Sequence, residues 1–234
     1  PRDCLHPQCQ RSHQSVARTW VTPTSKQGDE ISLTVMEHHS NLVPWQLLAQ
    51  RTGCVLRHVG ITESGELDLE DFRAQLNERT RLVSLVHISN SLGCCNPLDQ
   101  VIPAAHAVGA CVLVDACQSL AHKPIDVAAI DADFLVGSSH KLCGPTGMGF
   151  LWARESLLEA MPPFLGGGEM IQDVFLDHST WAGVAPQVRS GHPCHRRGGG
   201  HGGRDSLPAG GGSGGDSGLG SSAHPASVHP VAGH

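Results

Sequence analysis

The stretch CVLVDACQSLAHKPIDVAAIDADFLVGSSHKLCGPTGMGFLW, residues 111–152, decides the fold class of this chain. Its apolar runs CVLV (111–114) and FLV (134–136) each lead directly into small and polar residues. Short apolar runs of this kind predict strands that are buried on both faces. A third run, GMGFLWA (147–153), follows a glycine-rich loop and predicts another strand.

The same pattern extends upstream of this stretch. Further strands are predicted at EISLTV (30–35), CVLRHV (54–59) and RLVSLVHIS (81–89). Helices are predicted between the strands, at NLVPWQLLAQRTG (41–53), LDLEDFRAQLNERT (67–80) and LDQVIPAAHAVGA (98–110). This alternation predicts an α/β fold whose sheet is mainly parallel, with helices on both faces.

Local signals support the predicted helix boundaries. Asp68 and Asp99 stand at helix starts, and Gly53 and Gly109 stand at helix ends. A carboxylate accepts hydrogen bonds from the free N–H groups of a first turn, and glycine adopts the left-handed conformation that ends many helices.

Composition divides the chain into three regions. Residues 1–25 are polar without periodicity and are predicted to be irregular, whereas 26–182 form the predicted α/β domain. Residues 183–234 are rich in Gly, His, Pro and Ser, which bury too little apolar surface to offset the entropy of ordering. We therefore expect a disordered tail.

Charge and hydropathy argue against several classes of partner. The formal net charge is -6, which disfavours nucleic acid and anionic membranes. No apolar run is long enough to span a membrane, and the N-terminus lacks the apolar core of a secretory signal.

The cysteines and histidines predict neither disulfides nor a metal site. Cysteines are odd in number, include the adjacent Cys94 and Cys95, and form no CxxC pair, which favours reduced thiols in the cytoplasm. His38 and His39 are adjacent and would point in different directions, and no cysteine pair has zinc-finger spacing.

Polar residues at two predicted strand ends indicate a ligand site. Asp115 ends one strand, and Lys141 follows the next strand, just before the loop GPTGMG (144–149). Considered alone, Asp115 would be interpreted as a helix cap and Lys141 as a surface lysine. Together they lie at the carboxyl edge of a parallel sheet, where ligands bind. The glycine loop follows the lysine, so a nucleotide-binding P-loop is not matched.

Five motifs in order and spacing resemble one enzyme family. They are EHHSNLVPW (37–45), HISNSLG (87–93), VDACQSLAHKPIDV (114–127), SSHKLCGPTGMGFLW (138–152) and EAMPPFLGGGEMI (159–171). The resemblance is to Suf-type cysteine desulfurases and selenocysteine lyases, in the class V aminotransferase group of fold-type-I pyridoxal-phosphate enzymes. It implies that residues 26–182 are an incomplete cofactor-binding domain.

The resemblance implies three residues with chemical roles. Lys141 would bind pyridoxal phosphate covalently and move the substrate's α-proton. Asp115 would keep the pyridine nitrogen protonated. His38 would stack on the ring, although by itself this histidine reads as a capping or core residue.

The resemblance also implies residues that bind the cofactor's periphery. Gln118 would hydrogen-bond the ring hydroxyl, Ser138 and His140 would bind the phosphate, and Asn90 would lie on the substrate or ring-oxygen side. No metal is expected.

The implied reaction converts L-cysteine into L-alanine and enzyme-bound persulfide sulfur for iron–sulfur cluster assembly, or acts on L-selenocysteine. The family implies a homodimer and a Suf-type sulfur-acceptor protein. The alternatives are another class V enzyme, either an aminotransferase or a kynureninase-like lyase, or a fragment without a function of its own.

The two ends of the chain suggest shifted reading frames. VRSGHPC (188–194) resembles the family's sulfur-accepting motif R-x-G-H-x-C, but it follows GGGEMI too closely. If suitable synonymous codons for residues 186–203 are read one base later, they can encode PKFEAGTPAIGEAVGMGA. Codons for residues 2–15 read in the same way can encode REIAFTRNASEAIN. Both translated segments resemble sequences of the family. VTPTS (21–25) can arise similarly from GDANL. We therefore expect out-of-frame ends and an inactive fragment, in which the match at Cys194 is accidental.

Overall fold

The computed structural model describes residues 2–6, 9–164 and 171–181. The predicted tail at 183–234 and the GGGEMI loop through residue 170 lie outside the described residues. The described strands are β1 (Arg2–His6), β2 (Glu30–Thr34), β3 (Val55–Val59), β4 (Thr80–Val86), β5 (Cys111–Asp115), β6 (Phe134–Ser138), β7 (Gly149–Ala153), β8 (Ile171–Val174) and β9 (Ser179–Trp181). The described α-helices are α1 (Cys9–Ser15), α2 (Thr22–Thr24), α3 (Val43–Thr52), α4 (Leu69–Gln75), α5 (Leu98–Ala107), α6 (Val127–Ile130) and α7 (Glu155–Ala160).

A seven-stranded sheet organises the described residues, in the order β1-β7-β6-β5-β4-β2-β3. Strands β2 to β6 run parallel to one another, while β7 runs antiparallel to both β6 and β1. Every strand predicted from the sequence is present, and the predicted α/β fold with a mainly parallel sheet is confirmed. A separate hairpin pairs β8 with β9.

The sheet separates two apolar cores. Along β6, Phe134 and Val136 belong to one core while Leu135 belongs to the other. Successive side chains of a strand point to opposite faces, so a continuous apolar run serves both cores. Helix α3 contributes Trp45 to the first core, and α5 contributes Ile102 to the second. Helices therefore cover both faces, as the apolar strands predicted.

The predicted helix boundaries follow the expected chemistry. Asp68 caps α4 by accepting hydrogen bonds from the backbone N–H groups of Glu70 and Asp71, and Gly53 ends α3 with φ 75°. Asp99 lies inside the first turn of α5. Helix α4 is shorter than the predicted 67–80, because Asn77 and Thr80 form a turn that leads into β4.

The N-terminal segment is helical where the sequence predicted irregular chain. Helix α1 continues into a π-helical turn, Val16–Val21, and then into α2. Val16, Ala17 and Trp20 are buried against the sheet, with Trp20 packed edge-on to Phe134 at 5.2 Å between ring centroids. Packing on the sheet therefore orders a segment too short and polar to display a period of its own. The frame-shift hypothesis for this segment stays a prediction.

No helix within the described residues is long and apolar enough to cross a membrane.

Candidate active site

A cavity of about 310 Å³ lies at the carboxyl edge of the sheet. It collects residues that follow β2, β4, β5 and β6. All the side chains predicted for the site line it: His38, Asn90, Asp115, Gln118, Ser138, His140 and Lys141. Residues separated by about a hundred positions therefore meet in one place, as the rule for parallel sheets predicts.

Asp115 is the last residue of β5 and is only 3% exposed. Its Oδ1 accepts a hydrogen bond from the backbone N–H of Cys117 at 3.0 Å. Its Oδ2 lies 3.5 Å from Nε2 of His13, a fully buried residue of α1. Burying a carboxylate is costly unless partners compensate, and the hydrogen bond from Cys117 stabilises its charge at the cavity wall.

Lys141 lies on a tight 3-10 turn, Ser139–Leu142, that follows β6 directly. Cys143 closes this turn in the left-handed conformation, with φ 58°. Among the described residues Lys141 has no hydrogen-bond or ion-pair partner, so its amine is available to a ligand in the cavity.

Ser138 and His140 form a polar pair beside Lys141. The Ser138 hydroxyl lies 2.8 Å from His140 Nδ1. The Ser139 N–H donates to the carbonyl of Met148, which ties the start of the turn to the glycine loop at 3.0 Å. This loop contributes Thr146 and Gly147 to the cavity. A hydroxyl, an imidazole and a glycine loop are suited to bind an oxyanion.

His38 combines the two interpretations that the sequence left open. Its Nδ1 accepts a hydrogen bond from the backbone N–H of Ser40 at 3.1 Å and thereby caps the 3-10 turn His39–Asn41. The same residue lines the cavity. Because Nδ1 accepts, the neutral ring carries its proton on Nε2. The cap fixes one edge of the imidazole and leaves the ring in the cavity wall.

Several cavity residues were missed by the sequence analysis. The cavity is also lined by Gln10, Ser40, Val86 and Cys117. His13 contacts the site through Asp115. Gln10 and His13 lie in a segment where no periodicity marked a helix. Ser40 stands two positions after His38, inside a quoted motif, and could have been inferred from that spacing.

An α/β domain that brings an amine and a buried acid to adjacent strand ends, beside an imidazole, has the arrangement of fold-type-I pyridoxal-phosphate enzymes. The family model described as Aminotransferase class-V matches residues 9–195, and the chain belongs to this family. The match begins in the N-terminal segment and includes every described residue of the cavity.

The relatives are cysteine desulfurases. A probable cysteine desulfurase of Synechocystis sp. is 56% identical over 179 residues, which are 76% of this chain and 43% of that protein. The crystal structure of the cysteine desulfurase CsdA from Escherichia coli is 38% identical, with a TM-score of 0.79 over 82% of this chain and 48% of that one. The chain thus spans less than half the length of these relatives.

A more distant structure bears on the cofactor. A C-DES variant with glycine covalently linked to its PLP cofactor is 25% identical, with a TM-score of 0.70 over 80% of this chain and 50% of that one. The donor set of the cavity fits such a group: a primary amine for the aldehyde, a buried carboxylate for the ring nitrogen, and a hydroxyl for the phosphate.

Proposed function

We propose that this chain is the cofactor-binding part of a cysteine desulfurase, whose whole protein takes sulfur from L-cysteine and leaves L-alanine. One observation carries the proposal. The cavity gathers Lys141, Asp115 and His38 in a chain that is 56% identical to a probable cysteine desulfurase. L-Selenocysteine is the second substrate that this chemistry accepts.

The cofactor is pyridoxal phosphate, which when bound supplies an electron sink for the negative charge that develops at the substrate's α-carbon. Lys141 would hold the cofactor through Nζ, and its amine would take and return the substrate's α-proton. Asp115 would keep a proton on the ring nitrogen, with its carboxylate held in place by the backbone N–H of Cys117. His38 would stack on the ring, with its imidazole held at Nδ1 by the Ser40 N–H.

The remaining cavity residues orient the cofactor. Ser138 and His140 bind its phosphate as the hydrogen-bonded pair beside Lys141. Gln118, in the turn after β5, would hydrogen-bond the ring hydroxyl. Asn90 lies on the substrate side, in the loop after β4. These four positions restrict the ring to one orientation, which the proton transfers require.

The whole protein acts in the cytoplasm as a homodimer that passes sulfur to a Suf-type acceptor for iron–sulfur cluster assembly. The family and the sequence support this part of the proposal.

The test is cysteine turnover, measured as sulfide and alanine release. We expect the 234-residue chain, saturated with cofactor, to release neither above a Cys194→Ser control. Cys194 lies outside the described residues, in a Gly/His/Arg-rich stretch without an apolar anchor to position its thiol. A version with both frames repaired should form alanine, and its Lys141→Ala variant should not. If the repaired protein binds cofactor and transaminates without forming alanine, the desulfurase proposal is wrong.

A further inference from the structure

Glu37 lies directly behind the cavity wall formed by His38, Ser40 and Val86. Its Oε1 accepts from the Thr34 hydroxyl at 2.6 Å and from the backbone N–H of Val86 at 3.0 Å. Its Oε2 accepts from Nδ2 of Asn41 at 2.6 Å. One carboxylate therefore joins the ends of β2 and β4 to the turn that follows His38.

Asn41 extends this hydrogen-bond network and fixes which groups in it donate and which accept. Its Oδ1 accepts from the indole N–H of Trp45 at 3.0 Å and from the Ser84 hydroxyl at 2.5 Å. Asn41, Trp45 and Ser84 are completely buried. Because two donors occupy Oδ1, the amide cannot flip, and its N–H₂ group must face Glu37. The network requires an acceptor at position 37.

The charge of Glu37 is poorly solvated. The pKa of Glu37 is raised to about 7, chiefly by burial, with a smaller contribution from the negative charge of Asp115 on β5. The hydrogen bonds from Thr34, Val86 and Asn41 oppose this shift without cancelling it. The groups of β2, β4 and the turn that face the carboxylate are neutral donors, so Asp115 is the charged group that acts on it.

We propose that Glu37 is the positioning residue for His38, an assignment that rests on the proposed function because it takes His38 to contact the cofactor. Glu37 holds both ends of the His38 turn. It is covalently adjacent on one side, and on the other it binds Asn41, the last residue of that turn. Its contact with Val86 sets the distance from the turn to β4. Loss of the network would free the imidazole from the cavity wall.

A double-mutant cycle tests the polarity of the network. In Glu37→Gln the new amide N–H₂ faces either Asn41 Nδ2 or the Val86 N–H, so two donors oppose each other. In Asn41→Asp two carboxylates oppose each other. The double variant Glu37→Gln/Asn41→Asp restores a donor–acceptor pair while Oδ1 still accepts from Trp45 and Ser84. The exposed Glu63→Gln is the matched control.

The readout of this cycle is the dissociation constant of pyridoxal phosphate on the full chain. Displacement of the His38 turn should weaken cofactor binding, and we expect each single variant to lose affinity by roughly 5- to 100-fold, the range that corresponds to the cost of a buried donor without an acceptor. The double variant should recover most of it, and Glu63→Gln should match the parent. A Glu37→Gln variant that binds cofactor like the parent overturns the assignment, as does a double variant no better than its singles.

A cofactor-free readout separates this assignment from the proposed function. The pKa of Glu37 is raised in the folded state above its ordinary 4.5. The folded protein therefore holds the proton more tightly, and stability falls as pH rises from about 4.5 to about 7. Glu37→Gln should remove this loss, so its Tm should fall less between pH 5 and pH 8 than that of the parent or Glu63→Gln. If the Tm of Glu37→Gln fell as much as that of the parent, the result would contradict a buried, poorly solvated charge at Glu37. Failure of every variant to bind cofactor, with this Tm difference intact, would refute the proposed function alone.

Discussion

Asp115 shows how a single residue connects the fold to the chemistry. It ends a strand buried on both faces, so its carboxylate enters the cavity with little water around it. Cys117 and His13 contact one oxygen each, and a protonated ring nitrogen of the cofactor would supply a full opposite charge. The electrostatic attraction between two such opposite charges is far stronger in a buried site than it is in water.

Replacing Asp115 tests this role. Asp115→Asn keeps the size and one acceptor of the side chain but removes the charge that holds the ring nitrogen protonated. In the frame-repaired protein we expect kcat for alanine formation to fall by about 10²-fold or more, which corresponds to a barrier increase of at least about 2.7 kcal/mol. The exposed Asp99→Asn is the control. Full turnover by Asp115→Asn would exclude the role.

Strand ends in the sequence predicted that Asp115 and Lys141 lie together, and the family resemblance supplied the other predicted residues that line the cavity. Their roles towards the cofactor stay predictions. The sequence did not identify His13 behind Asp115. The segment around His13 carries no periodic pattern, and its place depends on how α1 packs against the sheet. The network of Glu37 was also not predicted, since Thr34, Asn41 and Ser84 meet through tertiary contacts that no spacing encodes.

Strand β6 carries the site and is packed without spare room. A Cβ on Gly137 would overlap the Phe150 ring and lie 2.8 Å from Leu120. Gly137 immediately precedes Ser138, so any displacement of the strand moves the turn that holds Lys141. The glycine is thus needed for close packing of β6 against its neighbours.

Gly137→Ala should destabilise the protein. Insertion of a methyl group into packed surroundings costs about 1–3 kcal/mol, and we expect the free energy of unfolding from urea titration to fall by that amount. Gly60→Ala is the matched control, because its Cβ would make only an ordinary contact with Asp71 at 3.6 Å. A Gly137→Ala variant as stable as the Gly60→Ala variant would contradict the packing.

At the scale of elements, apolar runs predicted the six strands from β2 to β7, and amphipathic patterns predicted α3, α4 and α5. The patterns were readable because β4, β5, β6 and β7 each contribute side chains to both cores, whereas α3, α4 and α5 each contribute to one. The N-terminal helices were not predicted, since their order depends on Val16, Ala17 and Trp20 packing against a sheet formed by later residues.

The whole described molecule is a sheet covered on both faces, with one edge shaped to hold a ring-shaped cofactor. That edge is complete enough to present an amine, an acid, an imidazole and an oxyanion-binding pair in one cavity. The chain spans less than half the length of its relatives. Cofactor binding is therefore the property that can be tested directly on its described residues.

Covalent labelling with pyridoxal phosphate tests the central claim most directly. The full chain, mixed with the cofactor and reduced with borohydride, should carry the label on the peptide that contains Lys141. The visible absorbance of the unreduced mixture should be lost in Lys141→Ala and kept in Lys123→Ala, which replaces an exposed lysine of a different cavity. A label on another lysine, or a Lys141→Ala variant that keeps the absorbance, would contradict the assignment of this cavity as the cofactor site.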